Sequence, residues 1–104
     1  MNFIYVEKIS ETILNNGKKY YNYLYYITKE KNFNYKDLEN KDKEHFCFSR
    51  EPGKSISHNT PPTNVSLIGN VFINVSGLNL TNYKLIKFTV DNNNIVISHE
   101  ILEK

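Results

Sequence analysis

The chain has 104 residues, a formal net charge of +2 and 39% hydrophobic residues, and it contains no Ala, Gln or Trp. That length suits a single domain spanning 1–104 with one core, and the near-neutral charge excludes a strongly basic nucleic-acid-coating or acidic tail class. Cys47 is the only cysteine, so an intramolecular disulfide is excluded and a cytoplasmic setting is expected.

The first residues, Met1 to Lys8, lack a basic flank followed by a long apolar stretch, and no apolar run approaches the ~18 residues of a membrane span. Neither export nor membrane insertion is expected. Residues 3–14 and 18–28 flank Asn15-Asn16-Gly17, and Asn-Gly between apolar-rich runs is the strongest short-range hairpin signal. A two-residue turn at Asn16-Gly17 would pair Ile13 with Tyr20, Ile9 with Leu24, Glu7 with Tyr26 and Val6 with Ile27. One face then carries Tyr5, Ile9, Ile13, Tyr20, Leu24 and Tyr26, and the other Lys8, Ser10, Thr12, Lys19, Tyr21, Tyr23 and Tyr25. A helix capped by Ser10 and stopped at Gly17 competes with this reading, but the abundance of Tyr, Ile, Val and Thr favours strands.

Residues 29–44 are polar with interleaved charge and predict a solvated connection, with room for a short helix around Tyr35–Asp42. His45–Ser49 reads as a short strand. From Arg50 to Asn64 the chain holds Pro52-Gly53 and Pro61-Pro62, which predicts a long irregular loop over 50–64 and a candidate contact region. Alternation at Val65, Leu67, Val71, Ile73 and Val75 predicts a half-buried strand, with Gly69 as a bulge or bend. Tyr83–Val90 and Ile95–Leu102 flank Asp91-Asn92-Asn93-Asn94, a second hairpin signal. Ile86, Phe88, Val90, Ile95, Ile97 and Ile101 are expected on its buried face, with His99 opposite Ile86.

The fold class that follows is mainly β: a single small domain, an antiparallel meander of five or six strands with at most one short helix. A curled sheet, a sandwich and a small barrel all satisfy this pattern.

Chemical motifs are weak. Gly53-Lys54-Ser55 resembles the end of a phosphate-binding loop, but Phe48 stands where that loop needs a glycine and prolines follow in place of a helix. His45, Cys47 and His58 could approach one another, yet a zinc site wants four ligands at recognisable spacing. A thiol nucleophile at Cys47 has no local mark of reactivity. The sequons at Asn64, Asn74 and Asn79 are expected by chance in so Asn-rich a chain. No metal, cofactor or catalytic residue is expected.

The tyrosine run Tyr20-Tyr21-Asn22-Tyr23-Leu24-Tyr25-Tyr26 is the most unusual feature. In a strand, Tyr21, Tyr23 and Tyr25 share one face, either buried as a second apolar layer or exposed beside Lys8 and Lys19 as a contact surface. The candidate partner-binding set is therefore Tyr21, Tyr23, Tyr25, Lys8 and Lys19, with Arg50, Lys54 and His58 from the loop. The bias toward Asn, Lys, Ile, Tyr and Phe resembles an AT-rich genome, as in low-GC bacteria and their phages. Together these features predict a non-enzymatic protein that binds a host protein or ribonucleoprotein complex, such as a phage inhibitor of a defence nuclease of the anti-CRISPR type. The alternative is a small barrel that binds single-stranded RNA on the tyrosine stripe. An enzyme using Cys47, or His45 with His58, is a third class.

Overall fold

The computed structural model describes residues 1–50, 57–59 and 80–104. Six strands form one sheet: β1 (Asn2–Ile13), β2 (Lys19–Thr28), β3 (Glu44–Arg50), β4 (Ser57–Asn59), β5 (Leu85–Val90) and β6 (Val96–Glu103). Their order is β4-β3-β2-β1-β5-β6, and every neighbouring pair is antiparallel. Among the described residues the sheet is curled and unclosed, the first of the three architectures that the pattern allows. The chain meanders from β1 to β4 and then returns to the far side of β1 to lay down the β5–β6 hairpin. Single 3-10 turns occupy Tyr35–Asn40 and Leu80–Asn82. Among the described residues, no helix is long and apolar enough to cross a membrane.

Both hairpins exist, and both use the same turn. Leu14 N donates to Lys18 O at 2.9 Å, Gly17 N donates to Leu14 O at 2.9 Å, and Gly17 has φ of 82°. Asp91 N donates to Ile95 O at 3.0 Å, Asn94 N donates to Asp91 O at 3.1 Å, and Asn94 has φ of 63°. Each is a three-residue loop closed by one left-handed residue, which Gly adopts freely and Asn tolerates. Asp91 reinforces its turn by accepting from Asn93 N and Ile95 N through Oδ1, at 2.8 and 3.0 Å.

This loop length corrects the expected register. Thr12, not Ile13, stands opposite Tyr20, and a bulge between Lys8 and Ser10 moves the lower half a further step, so that Val6 meets Tyr25 and Ile4 meets Ile27. Because side chains alternate across a strand, such slips exchange faces. Ile13, expected on the face of Tyr5, lies opposite Lys19 on the face of Tyr21, Ile9 falls in the bulge, and both are exposed. A second bulge between Thr89 and Val90 does the same to β6: Val96 takes the inward place opposite Val90, while Ile95 and Ile97 are exposed. His99 consequently faces Phe88 and not Ile86.

The sheet buries apolar residues on both faces. On one, Ile4, Val6, Tyr21, Tyr23, Tyr25, Phe46, Ile86, Phe88 and Val90 pack together with Leu80. On the other, Phe3, Tyr5 and Leu85 pack with Leu38, and Tyr26, Phe33, Tyr35 and Leu102 lie against them. The connection after β2 is thus not simply solvated. Asn34 caps its 3-10 turn by accepting from Lys36 N at 3.1 Å, and the turn lowers Leu38 onto the sheet. The Phe33 ring meets Tyr5 edge-on at 5.1 Å. The expected loop over 50–64 is interrupted by β4, which falls between the prolines, where backbone N–H groups remain for pairing. The rest of that loop and the strand expected over Val65–Val75 lie outside the described residues.

Candidate partner-binding surface

Three of the five tyrosines of β2 are core residues. Tyr21, Tyr23 and Tyr25 retain 6%, 2% and 2% of their exposure, so their ring faces meet protein and not a partner. They lie on the face opposite the 29–40 connection, toward Leu80 and the β5 side chains. Tyr25 donates from its hydroxyl to Glu44 Oε2 at 2.7 Å. Burial, helped by the charge of Glu11 and by Tyr21, pushes the Tyr23 hydroxyl far above its ordinary ionisation range. An exposed tyrosine stripe is therefore corrected to a buried aromatic layer, and base stacking on these three rings loses its geometry.

The remaining candidates are only partly brought together. Lys8 and Lys19 do share the tyrosine face, but both reach Glu11 at 3.8 Å, which offsets part of their charge. Lys8 also donates to Thr81 O at 2.6 Å, tying β1 to the turn before β5. Arg50 ends β3 opposite Lys19, and His58 pairs with Phe48 on β4. Lys54 lies outside the described residues, as do the side chains of Arg50 and His58.

His45 and Cys47 share a face of β3, as their spacing requires. There His45 Nε2 lies 3.0 Å from Asn22 Oδ1, and Asn22 Nδ2 donates to Ser10 Oγ at 2.9 Å. Since the amide nitrogen is engaged with Ser10, the amide oxygen is left to accept, and His45 Nε2 is the donor. The chain of bonds spans β1, β2 and β3 and commits the imidazole to a structural role. Cys47 is half-buried opposite Asn22. Among the described residues, no three His, Cys, Asp or Glu side chains are placed to hold a metal ion.

Sequence reasoning missed the exposed aliphatic residues. Among the described residues, six large hydrophobic side chains are exposed, and the strand registers sort them to two ends of the sheet. Met1, Ile95 and Ile97 gather at the β5–β6 turn, where the N-terminal ammonium donates to Asn92 Oδ1 at 3.0 Å. Ile9, Ile13 and Leu14 lie at the other end, on the β1–β2 hairpin. There β5 pairs with β1 only as far as Glu7, with Lys8 N donating to Lys84 O at 2.8 Å as the last rung. Beyond it, among the described residues, β1 has β2 on one side and no strand on the other. The hairpin tip thus projects past β5, carrying Ile13 at 63% exposure. Around it stand Glu11, Lys19 and the Tyr20 ring, over which the Lys18 ammonium sits at 5.3 Å. No signal in the sequence would have found it, because the exposure of Ile13 follows from how far β5 reaches along β1. No protein-family model, no curated protein and no solved structure matches this chain.

Proposed function

We propose that this protein works by binding another protein, without catalysing a reaction, and that the projecting half of the β1–β2 hairpin makes the contact. The observation that carries this reading is the exposure of Ile9, Ile13 and Leu14 on the part of the β1–β2 hairpin that outruns β5. Apolar side chains rimmed by charged ones, here Glu11, Lys18 and Lys19, form the anatomy of a protein contact. A strand with an open side also offers backbone groups to an incoming chain.

The composition supports a low-GC bacterium or one of its phages as the source. In that setting the partner is a host protein or ribonucleoprotein complex that handles nucleic acid, and the protein acts in the cytoplasm as its inhibitor, in the manner of anti-CRISPR proteins. The test is affinity capture from the native host with the wild-type chain and with an Ile13→Asp, Leu14→Asp double variant, followed by mass spectrometry. A stoichiometric protein captured by the first and lost by the second is expected. Capture that survives the double variant, or no partner across several hosts, would overturn the reading.

A further inference from the structure

The two edges of the sheet are unlike each other. β4 is a three-residue strand in a segment that carries Pro52, Pro61 and Pro62, and short edges with nearby prolines are a common defence against further pairing. β6 forms the opposite edge with eight residues, Val-Ile-Ser-His-Glu-Ile-Leu-Glu, containing no Pro, Gly or Lys. Its middle, Ile97 to Glu100, is exposed, with Ile97 at 52%. The bulges toward β5 fall at its two ends, so Ser98–Ile101 runs in regular register against Ile86–Thr89. Among the described residues, no strand pairs with the outer side of this edge.

We propose that a second copy of the chain pairs with this edge, β6 against β6 and antiparallel, joining two sheets into one about a two-fold axis perpendicular to them. An isologous contact needs a self-complementary strand, and antiparallel neighbours set residues of the same face opposite each other. Within the regular run the axis can therefore pass through His99 or through Glu100. Passing through Glu100 opposes two carboxylates, which is unfavourable. Passing through His99 sets Ser98 opposite the partner's Glu100 twice, a hydroxyl donor against a carboxylate. The second register is the one that the side chains favour. It leaves the two hairpin tips at opposite ends of the dimer.

The pairing is tested by sedimentation velocity on the full chain up to millimolar concentration, with disulfide trapping in a Cys47→Ser background. Residues on the axis lie ~5 Å apart between Cα atoms, within the reach of a disulfide. His99→Cys should then cross-link on addition of oxidised glutathione, while Ser98→Cys, which faces Glu100, should not. Ser98→Glu, which sets a carboxylate against the partner's Glu100 twice, should make the chain monomeric with an unchanged circular dichroism spectrum. A wild-type chain that stays monomeric at every concentration overturns the proposal, as does a dimer that persists in Ser98→Glu. Cross-linking at Ser98→Cys and not at His99→Cys would overturn the register and with it the argument for a second copy.

Discussion

At the scale of single residues, the tyrosines of β2 show how alternation and solvent exposure are separate questions. That Tyr21, Tyr23 and Tyr25 share one face is a consequence of strand geometry and could be read directly from their spacing. That this face is buried could not, because the residues that cluster with the tyrosines, Ile86, Phe88, Val90 and Leu80, lie far away in the chain. Tyr23→Ala should cost ~3–5 kcal/mol, the range for large aromatic truncations in a core, and a denaturant midpoint measures it. A loss below ~0.5 kcal/mol would return Tyr23 to the surface. The same burial makes stability depend on pH on the alkaline side. The unfolded chain releases the Tyr23 proton near the ordinary value of 10.0 while the folded chain retains it, because burial opposes the charged form. Above that pH the unfolded state binds fewer protons, so its population is favoured. Stability should be level below about pH 9 and should then fall by up to ~1.4 kcal/mol per pH unit from this group. Tyr23→Phe should flatten that fall, leaving the smaller part contributed by Tyr5, whose hydroxyl is also raised by burial. An unchanged slope in Tyr23→Phe would place the alkaline transition elsewhere.

At the scale of elements, the two hairpins were legible and their registers were not. Asn-Gly and the Asp-Asn-Asn-Asn run mark turns because Gly and Asn accept a left-handed backbone. Turn position does not specify loop length, and one extra residue in the loop moves every side chain beyond it to the other face. Bulges at Ile9 and Ile97 add further shifts that no alternation pattern announces, since an isoleucine in a strand reads as inward until its pairing is known. The left-handed residues make the turns testable. Gly17→Val places a β-branched side chain at φ of 82° and should destabilise the hairpin by at least ~1–2 kcal/mol. Asn94→Gly, at φ of 63°, should be neutral or slightly stabilising because glycine meets no Cβ clash there. Thermal melts of the two variants that moved in the same direction by similar amounts would contradict the shared turn geometry.

At the scale of the whole molecule, one sheet buries aromatic layers on both faces and leaves its exposed aliphatic residues at its two ends. The mainly β class and the single short turn after β2 followed from composition and periodicity. The return of the chain to the far side of β1 did not, because a strand pattern carries no information about which neighbour it will choose. Among the described residues, that return leaves the hairpin tip projecting, since β5 reaches β1 only from Asn2 to Glu7. Ile13 and Leu14 then contribute little to the core, and replacing each by Asp should change stability by no more than ~0.5 kcal/mol. Ser98 on β6 lies at a distance with no shared partner, so its replacement by Glu should add to theirs without coupling. The two surfaces can therefore be switched off one at a time. Ile13→Asp with Leu14→Asp should abolish partner capture and leave self-association intact, whereas Ser98→Glu should abolish self-association and leave each monomer able to capture one partner. If Ser98→Glu also eliminated capture while the melt stayed normal, the contact surface would lie on β6 and not on the hairpin, because a change at one end of the sheet can reach the other only by unfolding it or by removing a partner that binds there.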